Sequence, residues 1–320
     1  MNTFKWLLKR EFWENKGAFL WTPITIGVVM TGFIVISLAI ALLGLSHGME
    51  INGVQVNDLA KTVTPEQRAV FANRFVFGYA SLTVPILVAF GFCGFFYCLS
   101  ALYDERKDRS VLFWKSLPLS DRDTVLSKVA MAVVVAPLIA LVIAIATAFV
   151  AGFVICIAAA IAGVNIFGDV LTNAATYYLP FQLLGVLPVY ALWALPTVGW
   201  LLMVSAWART KPLLWALGVP LLTGMLVSWA NKLFGFDWNV GWFWKTILGR
   251  LLGSVIPGSW MGFVSQLPKV DEAGGPGTAF GIGSSASWGL LASPNIWIGA
   301  ALGAAMIYAA IRLRGLRDEG

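Results

Sequence analysis

The sequence predicts an all-α polytopic membrane protein, and three observations lead to that class. Hydrophobic residues make up 59% of the chain and charged residues only 12%, which leaves too little polar surface to cover a soluble globule. Apolar windows long enough to cross a hydrocarbon core about 30 Å thick as helices recur along the chain. Charged residues collect in the segments between those windows. We therefore expect residues 1–320 to form a single transmembrane domain.

About six apolar windows are candidate transmembrane helices. They cover residues 19–45, 75–102, 129–164, 178–207, 213–233 and 296–311. The third window is too long for one perpendicular helix, so we expect one tilted span with an extension beyond the bilayer. An even number of spans places both termini on the same side of the membrane.

The distribution of basic residues predicts the orientation of these spans. Most of the 22 Lys and Arg residues lie in the two terminal segments and in the loops that follow the second and fourth windows. Because positive charge collects on the cytoplasmic side, both termini and the loop 102–128 are expected there, in a multi-pass cell-membrane protein. Basic flanks beside anionic lipid account for the net charge of +6, so no nucleic-acid partner is expected.

The N-terminal segment 1–17 precedes the first window and mixes aromatic with charged residues. Trp6, Phe12 and Trp13 alternate with Lys, Arg and Glu, a pattern typical of an amphipathic helix lying at the membrane interface. A plain topogenic flank is the alternative. The first apolar stretch is longer than the core of a secretory signal peptide, so we expect it to remain as an anchor.

A charged loop, residues 104–127, separates the second and third windows and carries an apolar patch. The patch consists of Val111, Leu112, Phe113 and Trp114, which a fully solvated loop has no reason to carry. Aromatic anchors inside a charged rim are the usual composition of a protein interface. Aromatics lying on lipid headgroups are the alternative.

The same loop contains signals for two helix starts. Ser110 can cap a short helix that runs to Lys115, and Pro118 then breaks the chain direction. Ser120 and Asp123 form a capping pair that begins the next helix. The apolar patch would therefore lie on a short helix held between two spans.

The segment 234–293 lies on the opposite side of the predicted membrane and is rich in Gly and Trp. It contains two apolar pieces, residues 242–252 and 256–267, that are too short or too broken to span. Such pieces are typical of re-entrant or interfacial helices.

Glycines and prolines mark two of the spans. Gly299 and Gly303 form a GxxxG pair suited to close helix approach, which packing within the chain explains as well as a dimer seam. Pro180, Pro188 and Pro196 recur along the fourth window and predict a bent helix.

The sequence offers few groups for catalysis or metal binding. It has no GxxxxGK[ST] phosphate-binding loop, and its single histidine, His47, leaves histidine metal sites and Ser-His-Asp triads without partners. Cys93, Cys98 and Cys156 fall within predicted spans and are interpreted as packing thiols. No Asp, Glu, Lys or Arg is evident between the span ends, so an ion-coupled carrier lacks its titratable groups. These features predict no catalytic, cofactor-binding or metal site on this chain.

The run YDERKDRSVLFWKSLPLSDRDTVLSK, after a basic amphipathic N-terminal helix and two spans, resembles the permease subunit of an ABC-2 type ABC transporter. The topological resemblance covers essentially the whole chain, and its sequence-specific part covers residues 103–128. Glu105 matches a Glu that family members often carry before a Gly-Thr pair, whereas Asp108, Arg109 and Ser110 stand in place of the pair. Leu117, Pro118, Ser120 and Lys128 also match the family pattern.

The resemblance implies a transport subunit that is not itself an enzyme. In that family a cytoplasmic coupling helix docks on a separate ABC-type ATPase, which binds ATP and Mg, and re-entrant helices lie outside between spans five and six. Two permease copies, here expected as a homodimer, pair in the inner membrane to form an exporter. The expected ATPase-docking residues are Glu105, Arg109, Val111, Leu112, Phe113, Trp114 and Lys115.

The same resemblance places an outer gate in the segment 234–293. Its candidate residues are Trp242, Leu251, Leu252 and Trp260. Few charges in the spans favour a hydrophobic, lipid-like, peptide or drug cargo. Two alternatives stay open: a polytopic membrane enzyme acting on lipid, and a non-transporting membrane sensor or anchor that uses an ATPase partner.

Overall fold

The computed structural model describes residues 3–46, 50–51, 54–55, 78, 81–108, 120–263 and 286–316. These residues contain six helices that are long and apolar enough to cross a membrane. They are Gly17–Gly44, Thr83–Lys107, Asp121–Ile161, Thr176–Trp207, Pro212–Phe234 and Pro294–Leu316. All six overlap the predicted windows, which confirms a helical, membrane-type architecture.

The N-terminal region consists of two helices that meet at a π-helical turn. Helix α1, Thr3–Glu14, precedes the turn Gly17–Trp21 and the long helix α2, Thr22–Ser46. Leu7 and Glu11 lie one helical turn apart and form the buried face of α1. A two-residue antiparallel pairing, β1 Glu50–Ile51 with β2 Val54–Gln55, follows.

The second and third spans flank the charged loop. Helix α3, Thr83–Ser100, leads into the short helix α4, Tyr103–Lys107. Beyond the loop, α5 (Asp121–Ala130), a π-helical turn (Met131–Val135) and α6 (Ala136–Ile161) form one continuous helix of 41 residues. Its length of about 60 Å is roughly twice the hydrocarbon thickness. The expected single long helix is confirmed, and its tilt and extension beyond the bilayer stay predictions.

The first residues of α5 are held by the cap that the sequence predicted. The backbone N–H of Asp123 donates a hydrogen bond to Ser120 Oγ at 3.0 Å. Ser120 itself has extended backbone geometry, as an N-cap residue does. The predicted N-cap at Ser120 is confirmed.

The fourth span is interrupted near its start. Helix α7, Phe167–Thr172, and helix α8, Ala174–Gly185, precede helix α9, Leu187–Trp207. Pro188 lies in the first turn of α9, where its missing N–H costs nothing, whereas Pro180 and Pro196 lie inside their helices. The break at Val186 therefore coincides with the proline-rich part of the window.

The last third of the chain contains two long helices with short pieces between them. Helix α10, Pro212–Phe234, ends at Gly235, whose φ of 64° is the left-handed geometry of a helix C-cap. The short pieces that the structure describes are α11 Val240–Trp242, the π-helical turn Phe243–Leu248, α12 Gly249–Gly253 and the 3-10 turns Ser259–Phe263 and Leu290–Ala292. Helix α13, Pro294–Leu316, is the last.

Helices α9 and α13 form the centre of the bundle. Gly199 of α9 lies against the backbone of Gly303 of α13, and a Cβ added at Gly303 would lie 2.5 Å from the carbonyl carbon of Leu195. The buried core continues along α9 through Tyr190 and Leu201. Gly303 thus serves close packing within the chain, which was one of the two alternatives for the GxxxG pair.

We expect Gly303→Val to lower the stability of the folded bundle by about 1 to 3 kcal/mol, because overpacked sites force backbone shifts. Its added atoms would meet the backbone of Leu195 and Pro196, which cannot move aside as a flexible side chain can. Gly218→Val in α10 is the matched control, since a Cβ at Gly218 meets no atom within 4 Å. Equal unfolding midpoints of the two variants in mixed micelles would contradict this packing role.

Candidate functional site at the charged end of the bundle

Helix ends from five parts of the chain meet at one end of the bundle and bring charged side chains together there. Helices α1, α4, α5 and α13 supply the charges, and α9 supplies polar backbone and a serine. We call the set Arg10, Glu11, Glu105, Asp121, Lys128 and Arg314 the ionic cluster. Glu105 and Asp121, which lie near the two ends of the loop 104–127, both belong to it.

Glu11 and Lys128 form the most deeply buried pair of the ionic cluster. Lys128 Nζ donates to Glu11 Oε1 at 2.8 Å, and the side chains are 3% and 1% exposed. The hydroxyl of Tyr97 donates to the other oxygen, Glu11 Oε2, at 2.9 Å. Burial of a charge is costly unless it is paired and hydrogen-bonded, and here both carboxylate oxygens of Glu11 have partners. The pair fixes α1 to the start of the third span.

Glu105 is the centre of the ionic cluster. Its Oε2 accepts a hydrogen bond from Arg314 Nη1 at 2.8 Å, and its Oε1 lies 3.0 Å from Lys128 Nζ. Arg10 Nη2 donates to the same Oε1 at 3.2 Å. Glu105 therefore contacts cations from α1, α5 and α13 at once.

Asp121 extends the ionic cluster to the first residue of α5. Arg314 Nε donates to Asp121 Oδ1 at 3.0 Å while Arg314 Nη1 holds Glu105. A single guanidinium of α13 thus bridges the helix that enters the loop and the helix that leaves it. The planar fork of arginine suits such a two-sided contact.

Arg10 lies at the outer edge of the ionic cluster, on α1. Burial alone would lower its pKa, but the hydrogen bond and charge of Glu14, together with the charges of Glu11 and Glu105, raise the pKa above its ordinary value. Arg10 Nε donates to Glu14 Oε1 at 2.7 Å. The residue is therefore held in its charged form beside Glu105.

Helix α4 is also anchored to the end of α9 by neutral groups. The backbone N–H groups of Leu102 and Tyr103 donate to Ser205 Oγ at 3.0 and 2.9 Å. Arg106 Nη2 donates to the carbonyl oxygens of Ser205 and, at 3.0 Å, of Ala208. The short helix that enters the loop is consequently bound on two sides.

The ionic cluster joins four helices through charges that are paired with one another. Its three carboxylates and three cations balance in charge and are mutually paired. The part of the chain that the structure describes contains no group of three or more His, Cys, Asp or Glu residues placed to hold a metal ion. Removing one partner from such a buried set leaves an uncompensated charge, which typically costs about 3 to 5 kcal/mol.

Another buried cation, Arg250, lies outside the ionic cluster. Its guanidinium carbon lies 4.3 Å from the ring centre of Trp193, and Nη1 and Nη2 donate to the carbonyl oxygens of Asn295 and Ile296 at 2.5 and 3.3 Å. The group rests on Gly299, where any Cβ would collide with it. The first glycine of the GxxxG pair, Gly299, thus makes room for an arginine.

Of the predicted docking residues, the structure describes only Glu105. Glu105 is 8% exposed and its carboxylate is engaged within the chain by the ionic cluster. The others, Arg109, Val111, Leu112, Phe113, Trp114 and Lys115, lie outside the described residues. Their contact with an ATPase stays a prediction.

The predicted interfacial residues lie on a helix, as expected. Trp6 and Trp13 are each 56% exposed on α1, whereas Phe12 is partly buried against the core. The cations Lys9 and Lys16 lie over the rings of Trp6 and Trp13 at 5.2 and 5.5 Å. Two aromatic side chains of α1 thus point away from the bundle while Glu11 and Leu7 point into it.

The predicted outer-gate residues differ in burial. Trp242 is exposed, and Leu251 and Leu252 are partly buried. Trp260 is buried, with its indole Nε1 donating to Ser287 Oγ at 2.9 Å and its ring 6.3 Å from that of Tyr190. Between Leu252 and Trp260, the chain packs against Gly91 of α3. A Cβ added at Gly91 would lie 3.0 Å from the Cα of Ile256. This broken segment therefore packs into the middle of α3 and α9.

Of the ionic cluster, sequence reasoning named only Glu105 as a site residue, and it also missed the burial of Arg250. The members it missed are Arg10, Glu11, Asp121, Lys128 and Arg314. Glu11 gave one usable signal, because it shares a face of α1 with the buried Leu7. A charged residue on the apolar face of an amphipathic helix indicates a buried partner. Arg314 and Arg250 gave no such local signal.

Six long apolar helices and a surface of exposed apolar side chains define the class of this protein. Phe33, Ile40 and Leu226 are more than half exposed, and side chains of this kind around a bundle match a hydrocarbon solvent. The fold is that of a helical membrane protein. Comparison of the chain with protein-family models, curated proteins and solved structures finds no match to any of them.

Proposed function

We propose that this chain is the membrane-spanning permease subunit of an ATP-driven exporter of the ABC-2 type. In this proposal it pairs with a second copy, binds separate ATPase subunits through residues 109–115, and moves a hydrophobic or lipid-like cargo. Nucleotide-driven closure of the ATPases would displace the loop and, through it, the spans. ATP and Mg would be bound by the partner.

The observation that carries the proposal is the fixation of both ends of the loop. Glu105, near the start of the loop 104–127, is paired with Lys128, just after its end, at 3.0 Å, and Arg314 joins Glu105 to Asp121. A force applied to the segment between them would act on α3, α5, α13 and α1 together. If the ends of the loop were not fixed to the helices, the loop could move without displacing the spans.

The outer segment supports the same proposal. Short helical pieces between α10 and α13 pack against the middle of α3 and α9 at Gly91 and Thr197. In the proposed transporter these pieces are re-entrant helices that close the outer end of the pathway. Trp260 and Leu251 would then take part in a gate.

Purification from the native membrane with an affinity tag tests the proposal. The expected result is a stoichiometric complex with a polypeptide that carries a GxxxxGK[ST] motif and hydrolyses Mg-ATP. Vesicles reconstituted with that complex should accumulate or expel cargo only when ATP is supplied. Purification without an ATPase would favour the membrane-enzyme alternative, and a stable ATPase complex without ATP-dependent transport would favour the sensor or anchor.

The proposed orientation makes a separate prediction about thiol labelling. A cysteine at position 116, from Ser116→Cys in the loop, should react with a membrane-impermeant thiol reagent only after the membrane is opened. Ser284→Cys in the outer segment should react in intact cells. Both variants need a background in which Cys93, Cys98 and Cys156 are replaced by Ala, and the reverse labelling pattern would overturn the orientation.

A further inference from the structure

A groove opens on the outside of the bundle between α5 and α13, near the ionic cluster. Its volume is about 850 Å³, and Leu195 of α9 also lines it. Both helices line it with residues from one face each. Arg122, Leu126 and Val129 are four and three positions apart on α5, and Ala304, Ile307 and Ile311 are three and four positions apart on α13.

The groove is apolar along its length and positively charged at one end. From Ala304 to Arg312 it extends about 12 Å along α13. Arg122 and Arg312 lie at the charged end and are both exposed. Arg312 lies over the ring of Tyr308 at 5.3 Å and donates through Nε to its hydroxyl at 2.8 Å.

The charge at this end is not cancelled by the nearby carboxylate. Asp121 also lines the groove, but its Oδ1 is held by Arg314 at 3.0 Å. Within the described residues, no ion pair joins Arg122 or Arg312 to a carboxylate. An occupant that brings a negative charge to this end would therefore gain two charge-assisted hydrogen-bonding partners.

We propose that this groove binds one anionic phospholipid from the surrounding leaflet, with its phosphate between Arg122 and Arg312 and an acyl chain along Leu126, Ile307 and Ala304. Basic pockets between transmembrane helices are typical sites for anionic headgroups. A helix of a second copy would fit the apolar length but would bury two unpaired guanidinium groups, which is costly. The proposal concerns a resident lipid and does not depend on transport.

Native mass spectrometry of the delipidated, purified chain tests this site with two lipids of identical acyl chains, phosphatidylglycerol and phosphatidylcholine. The wild type should bind the first phosphatidylglycerol about thirtyfold more tightly than phosphatidylcholine, as two basic residues near a headgroup predict. Arg122→Gln with Arg312→Gln should abolish that preference. Arg209→Gln with Lys211→Gln is the matched control, since it removes two exposed charges outside the groove and should keep the preference.

A third variant separates the groove from surface charge in general. Ala304→Trp fills the apolar part while leaving both arginines in place, and Ala304 is exposed, so the bundle should tolerate the change. It should weaken binding of both lipids at the first site. Unchanged lipid binding by Ala304→Trp, or equal loss of preference in the control pair, would overturn the proposal. Displacement of the lipid by equimolar inorganic phosphate would assign the groove to a free anion. Conversion of a dimer to a monomer by Ala304→Trp would assign it to a second copy of the chain.

Discussion

Glu105→Gln should destabilise the folded protein by about 3 to 5 kcal/mol, the usual effect of removing one member of a buried ion pair. The carboxylate accepts hydrogen bonds from Arg314 at 2.8 Å and Arg10 at 3.2 Å and lies 3.0 Å from Lys128. Glutamine keeps the shape but removes the charge that compensates these cations. Equilibrium unfolding in mixed micelles, followed by far-UV circular dichroism, measures the effect.

Glu14→Gln is the control for this measurement. Glu14 also pairs with Arg10, at 2.7 Å, but its side chain is 49% exposed and the pair is one helical turn apart on α1. Such exposed pairs contribute about 0.3 to 0.5 kcal/mol. Equal stability of the two variants would contradict the role of Glu105 as the centre of the ionic cluster.

A double variant tests whether the lost stability comes from the unpaired cation. Arg314→Gln combined with Glu105→Gln removes one charge of each sign and restores the balance of the ionic cluster. Contacting groups in one network show coupling energies of about 0.5 to 3 kcal/mol. The double variant should therefore be more stable than the sum of the two single losses predicts, and strict additivity would show that the two residues act independently.

The fold was accessible from the sequence because its signals are local. A run of apolar residues longer than the hydrocarbon thickness is sufficient to indicate a span, and all six such runs became long helices. The cap at Ser120 was equally local, since its partner Asp123 is three positions away. Each of these features depends on residues within a single segment.

The ionic cluster was not accessible in this way because its partners are distant in the chain. Glu105 and Arg314 are separated by 209 positions, and Glu11 and Lys128 by 117. Composition and periodicity report what a segment exposes and buries, but they do not identify which helix ends meet. Glu105 was singled out by its resemblance to a family motif, and the structure gives it partners within the chain.

Arg250 shows a different limit of sequence reasoning. It lies in an apolar stretch that is too short to span, so hydropathy placed it in an outer segment. Its burial depends on Gly299 and on the ring of Trp193 at 4.3 Å, which come from α13 and α9. An arginine that lies on an aromatic ring and donates hydrogen bonds to backbone carbonyls of another helix leaves no local pattern.

Truncation of Phe113 and Trp114 to Ala should weaken binding of the ATPase at least roughly thirtyfold, if these residues are the anchors of a coupling helix. Aromatic hot-spot residues typically cost on the order of 2 kcal/mol or more when truncated, and each 1.4 kcal/mol is about a tenfold change in affinity. The double variant should still insert and pair with a second copy. It should fail to retain the ATPase on purification and should not couple its hydrolysis to transport.

Two controls make this last result specific to the loop. Phe236→Ala with Trp238→Ala removes an exposed stacked pair, with ring centres 4.7 Å apart, beyond the end of α10. It deletes a similar amount of aromatic surface and should leave ATPase binding unchanged. Lys115→Ala should mainly alter the salt dependence of binding, because charges at the rim of an interface affect association more than affinity. Full retention of a coupled ATPase by Phe113→Ala with Trp114→Ala would move the docking site elsewhere, with the exposed Trp6 and Trp13 face of α1 as the next candidate.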